Sequence, residues 1–236
     1  VVEYYQALMP TIVSSCASYL VFALITHLGI APTWYFPQYS LEGINDIFSA
    51  ILLGMIGALA GWIFIGIFHG CDRLFARIPG PIYLRTTLAG LGLGILAFSL
   101  PLTRYFGHDQ LALIVTTSFS GVLLLGLALG KMAAIGVTVT GGWPGGFIIP
   151  LFFIGACLGK AIAVFFPAIN PSLSMICVMA AINAAVTRTP ISTTLLLSKL
   201  TNFAPLTPIL FASLLGFFFA PKVPLITSQI KSQHDT

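Results

Sequence analysis

The sequence predicts an all-α polytopic membrane protein. Three observations carry that expectation. Of the 236 residues, 58% are hydrophobic and only 7% charged, against about 25% charged in a soluble domain. Residues 4–41, 47–71, 110–130 and 200–221 contain no Asp, Glu, Lys or Arg, and roughly 20 apolar residues suffice to cross a bilayer. Finally, Gly and Pro cut the later apolar stretches into pieces too short to span alone. That pattern marks channels and transporters whose site lies near the membrane midplane.

In order along the chain, residues 5–28 form one apolar helix with Pro10 near its start, where a bend is expected. Gly29–Asn45 is a polar loop whose Trp34 and Tyr35 suit a membrane–water interface. A long helix follows from about Asp46 to Phe75. Its Gly54, Gly57, Gly61 and Gly66 offer a close approach to another helix. The next loop holds Arg73, Arg77 and Arg85, the densest basic cluster of the chain. By the positive-inside rule this loop, 73–85, is cytoplasmic and Gly29–Asn45 lies outside.

A glycine-rich helix is expected near 84–99, then a break around Pro101, Arg104 and the surface-loop pair His108-Asp109. A short helix at 111–118 and a fuller one at 120–138 follow. After the helix at 147–165, residues 172–185, 190–200 and 205–220 are apolar but short. The polar tail suits the cytoplasm. Cys16, Cys71, Cys157 and Cys177 have no metal or redox spacing and read as small core residues. The four histidines share no spacing, so no metal is expected, and no cofactor. The net charge of +4 is too thinly spread for nucleic acid.

Gly141 to Phe166 organises the rest. Gly141, Gly142, Pro144, Gly145 and Gly146 precede a long apolar run. The first turn of a helix starting near Phe147 has N–H groups without internal partners. Those groups and the helix dipole attract an anion. Gly145 and Gly146 leave the backbone uncovered, and Pro150 suits a first turn because its missing donor costs nothing there. The stretch reads as a main-chain anion site, or as a glycine-rich turn between two membrane helices.

Pro144-Gly145-Gly146-Phe147-Ile148-Ile149-Pro150 resembles the GxFxP signature of the CLC chloride channels and chloride/proton antiporters. Lys131, Thr138, Thr140 and Gly141-Gly142 resemble the segment that precedes it. Ala180 to Pro190, ending Arg188-Thr189-Pro190, resembles the later small-residue segment. The resemblance covers nearly the whole chain, but only the second half of a CLC subunit. It implies a CLC-like bundle of tilted, broken and re-entrant helices. Residues 1–45 would be the last helix of the first repeat and an outside loop, 46–220 the second inverted repeat, and 221–236 a final short helix and cytoplasmic tail. The opening at Val1, almost inside a helix, also suggests a piece of something longer.

The resemblance further implies a homodimer in a membrane, expected to be a bacterial plasma membrane, that transports chloride or another small anion. The partner of this chain would be the N-terminal half of the same transporter. Anion contact falls on Gly146, Phe147, Ile148, Ile149 and Pro150, with the amides of Phe147 and Ile148 donating. Ile226 takes the place of a family tyrosine whose hydroxyl meets the central anion. Thr227 or Ser228 supplies a hydroxyl if the register slips. The family's middle aromatic would fall at Ile148, one place after Phe147, and Lys199 replaces a common carboxylate. The gating glutamate, the anion-binding serine and the proton-transferring glutamate belong to the family's first half, so channel and antiporter stay open.

Two other classes compete. An intramembrane serine protease needs a nucleophile and a base on facing helices; Ser14, Ser15, Ser118 and Ser120 exist, but the histidines sit at segment edges. A structural half without a site is the other reading. Lys131 and Lys160, near segment ends, either snorkel to the interface or serve a pathway. Arg188 caps carbonyls or lines the pathway.

Overall fold

The computed structural model describes residues 2–26, 31–37, 39–40, 43–143, 145–202, 205–223 and 225, with the side chains of 2–8 left aside. The chain divides into two units, Val1–Thr33 and Trp34–Thr236. The first is built on α1 (Val2–Thr26), which runs unbroken through Pro10 as a single helix.

The second unit carries eight α-helices among its described residues. They are α2 (Ile44–Ala76), α3 (Ile82–Ser99), α4 (His108–Thr116), α5 (Gly121–Thr140), α6 (Ile148–Phe165), α7 (Pro171–Thr187), α8 (Pro190–Leu200) and α9 (Leu206–Phe218). A short 3-10 turn, Pro101–Thr103, separates α3 from α4. At 33 residues, α2 is about 50 Å long, more than the roughly 30 Å of hydrocarbon in a bilayer. It must tilt or protrude.

The core is α7. Every residue from Ser172 to Val186 on it is buried. A helix that is small or apolar all round has no face for water, and here three neighbours cover it. Gly155 and Gly159 of α6 lie against the backbone of Met179 and Met175. Gly57 and Gly61 of α2 receive Ala181 and Ala185. Gly216 of α9 rests on the backbone of Ala181. The expectation for α2 thus holds at Gly57 and Gly61, and at Gly54, which faces Ala212 and Leu215 of α9. Gly66 faces open space.

The polar groups of α7 also have partners. Asn170 caps its start by accepting from the N–H groups of Ser172 (2.9 Å) and Leu173 (3.3 Å). Ser172 Oγ donates to Pro37 O (3.0 Å) and Ser174 Oγ to Gly159 O (2.8 Å). Such bonds matter because hydrocarbon offers no substitute partner.

Trp34 lies inside the protein. It is buried at 2% exposure. Its N–H donates to Leu200 O (2.9 Å), its indole Nε1 to His108 O (3.1 Å), and its ring meets Phe152 edge-on. Trp34 fills the seam between α4, α6 and the end of α8, while Tyr35 stays exposed. Cys157 and Cys177 are buried core residues as expected, whereas Cys71 is only half-buried and Cys16 is exposed. His108 is the first residue of α4 rather than part of a loop. Pro221–Val223 and Leu225 are not helical; the rest of the expected final helix lies outside the described residues.

Replacing Gly155 by Leu should drive a side chain into the α7 backbone. Overpacking of a filled core costs about 1–3 kcal/mol or more, and we expect a clearly lower unfolding midpoint in detergent. Gly66→Leu, entering open space, should leave the midpoint unchanged. Equal loss in both would contradict the packing described.

Candidate functional site

The glycine stretch between α5 and α6 divides into two parts with different physical reasons. Gly141 and Gly142 end α5. The N–H of Trp143 reaches Thr138 O (3.1 Å) and that of Gly142 reaches Val139 O (3.2 Å). With Gly142 at φ +100, this is a Schellman cap, which needs a residue free to adopt left-handed φ. Thr86 of α3 donates to Gly141 O (3.0 Å) and holds the turn against that helix. A Cβ on Gly141 would strike Ala89.

Gly145 and Gly146 have no such requirement. Neither adopts left-handed φ, and a Cβ on either would meet nothing within 4 Å. Both are exposed. Immediately after them α6 begins at Ile148, with Phe147 at the cap position and no side-chain cap bond. The first intrahelical bond is Leu151 N–H to Phe147 O (2.9 Å). Among the described residues no acceptor meets the N–H of Ile148 or Ile149, and Pro150 has none to offer. Uncovered main chain with unpaired donors and a positive dipole end results. Pro150 is buried, Phe147 and Ile149 pack against the core, and Ile148 is half exposed at 42%.

Asn183, buried on α7, fixes this helix start by donating from Nδ2 to Ile148 O (3.1 Å). In the sequence Asn183 stands only inside the small-residue segment Ala180 to Pro190. The readable signal was a lone amide among alanines, at a depth where an unpaired amide is costly. Arg188, at φ 60, donates through Nη2 to Pro221 O and Lys222 O, both at 2.7 Å. It holds carbonyls of the segment leading to Leu225, not those of a helix end. Ile226, Thr227 and Ser228 lie outside the described residues.

Both lysines bind backbone carbonyls of other segments. Lys131 sits midway along α5 at 1% exposure, and Nζ donates to the carbonyls of Thr103 (2.9 Å), Arg104 (3.4 Å) and Tyr105, with the Phe153 ring 5.5 Å away. Lys160 of α6 donates to Ile114 O, Val115 O (3.0 Å) and Thr117 O (2.8 Å). One ammonium holds the irregular backbone before α4, and the other holds the last carbonyls of α4. Both bind main-chain carbonyls outside their own helices, which would otherwise lack a donor.

A family model described as voltage gated chloride channel matches residues 4–221. The chain is 28% identical to the putative ion-transport protein YfeO of Escherichia coli over 70% of this chain and 40% of that protein. It is 26% identical to the voltage-gated ClC-type chloride channel ClcB of Shigella flexneri over 86% of this chain and 50% of that one. Among solved structures, a CLC-type fluoride/proton antiporter matches with a TM-score of 0.69 at 21% identity, covering 79% of this chain and 47% of that one. The likeness establishes the all-helical fold. The chain spans about half the length of the curated relatives it matches, and these named relatives are channels and transporters rather than enzymes.

Replacing Lys131 by Met should keep the bulk of the side chain and strip three carbonyls of their donor. Each buried acceptor left unpaired costs about 1–3 kcal/mol. We expect a marked loss of stability on unfolding in detergent, with a lower midpoint than Lys160→Met, whose side chain is only half buried. Unchanged stability for Lys131→Met would refute the cradle.

Proposed function

Because the chain belongs to the voltage gated chloride channel family, we propose that it forms the second half of an anion pathway, in which chloride or a similar small anion crosses an integral membrane protein past the start of α6. The observation that carries this reading is the uncapped first turn of α6 on open backbone, with Gly145 and Gly146 spared any structural need for glycine. Amides of Phe147 and Ile148 donate to the anion, and that of Ile149 adds to the positive end. Gly146 leaves room for approach, and the buried Pro150 ring anchors the turn. Oriented main-chain dipoles take the place of hydration water, as in other selectivity filters. No covalent step and no cofactor enter this account.

Residues 46–220 act as the second inverted repeat, following a last first-repeat helix and outside loop at 1–45. The segment 221–236 brings Ile226 and Thr227 to the pathway, and the grip of Arg188 on Pro221 and Lys222 supports that placement. The N-terminal half of the same transporter completes the site, and two such subunits form a homodimer. The loop 73–85 and the C-terminus face the cytoplasm.

Chloride binding to the full-length protein, measured by calorimetry, tests the site. Gly146→Leu puts a side chain where the ion approaches, in space that is free in the fold. Losing one donor contact at about 1–3 kcal/mol corresponds to roughly 5- to 150-fold weaker binding. Phe147→Leu should be milder, because its contribution is main chain. Equal affinity in parent and both variants, with folding intact, would leave the stretch as a turn only.

Orientation has its own test. In a Cys-free background, a Cys introduced beside Pro79 should resist an impermeant thiol reagent added to intact cells and react once the membrane is opened. Labelling from outside would invert the assigned topology.

A further inference from the structure

Of the long helices in the second unit, α3 is the least covered: Ala89 is its one buried residue. Its 18 residues rise about 27 Å, close to the hydrocarbon thickness of about 30 Å. Arg85 at its start and Arg104 just past its end therefore sit near opposite interfaces. Between α3 and α5 lies a cavity of about 430 Å³. Leu93, Gly94 and Ala97 of α3 and Ala134 of α5 give it apolar walls, and Arg104 and Tyr105 stand beside it. The threonine hydroxyls that reach it, Thr103 and Thr138, already donate to Leu100 O (2.7 Å) and Ala134 O (2.6 Å), and Tyr105 brings a phenol to the rim. The charged handle is Arg104.

Arg104 is held ready. Its Nε donates to Ala97 O (3.1 Å) at the end of α3, while its terminal nitrogens meet no acceptor among the described residues. Its backbone is fixed from behind, since Lys131 takes the carbonyls of Thr103, Arg104 and Tyr105. Tyr105 is 83% exposed, as an aromatic at headgroup level is. The neighbouring flank of α3, with Leu91, Ile95 and Phe98 exposed, suits lipid tails.

We propose that this groove holds one acyl chain of an anionic phospholipid whose phosphate is gripped by the Arg104 guanidinium. The match is one of chemistry. An apolar slot takes the chain, and a planar fork of N–H donors takes phosphate oxygens two at a time. A zwitterionic lipid carries the same phosphate, but its choline places a like charge beside the guanidinium.

The test uses the purified full chain exchanged into vesicles of equal palmitoyl-oleoyl phosphatidylglycerol and phosphatidylcholine, with retained lipid identified by native mass spectrometry. The parent should retain one phosphatidylglycerol. Arg104→Gln should bind it about tenfold more weakly or worse, the scale of a lost charge-assisted phosphate contact. Gly94→Leu should fill the groove, since a Cβ there meets nothing within 4 Å, and should abolish retention while unfolding in detergent at the parent's midpoint. Retention that ignores headgroup, or that survives both substitutions, overturns the proposal. So does a nanodisc structure in which a protein segment occupies the groove.

Discussion

Everything in the second unit depends on the burial of α7. In lipid there is no hydrophobic gain in pressing one apolar helix on another, so association rests on close packing and on hydrogen bonds. Here the closeness comes from glycine on the surrounding helices rather than on α7 itself. Gly155 and Gly159, Gly57 and Gly61, and Gly216 each open a notch where the α7 backbone or an alanine methyl enters. Because α6 is seated on α7 by two such notches and by Asn183, the position of its first turn is set by a rigid neighbour. A main-chain ion site has no side chain to adjust, so its precision can come only from that seating.

A second constraint follows from broken helices. Segments such as 101–107 carry carbonyls that no helix of their own pairs. Lys131 and Lys160 meet that need from α5 and α6, and their charges are spent on backbone dipoles rather than aimed at an ion. Arg188 does the same for Pro221 and Lys222. A cation within an apolar helix thus has a structural use here, which leaves it bound to backbone.

Much of this was legible beforehand. Helix boundaries fell within a few residues of the observed ones, because charge, Pro and Gly punctuate the apolar runs plainly: Pro171 opens α7 and Gly141-Gly142 closes α5. The start of α6 was legible from Gly145 to Pro150. Other features were not. Gly155 and Gly159 carry a readable four-residue spacing, yet nothing local says which helix they meet. The burial of Trp34 is illegible because its partners, Leu200, His108 and Phe152, are distant in sequence. The partners of Lys131 and Lys160 are equally illegible, because their acceptors lie on other segments and distance from a helix end says nothing of a carbonyl across the bundle.

The central claim is that a small anion rests on the open first turn of α6, held by amide groups. The most direct measurement is a structure of the full-length protein soaked in bromide, with the ion located by its anomalous scattering. The account predicts a bromide peak within hydrogen-bonding distance of the N–H groups of Phe147 and Ile148, about 3.2–3.5 Å allowing for the larger ion over ordinary N–H···O lengths. Bromide bound elsewhere along the pathway, with this helix start bare, would contradict it.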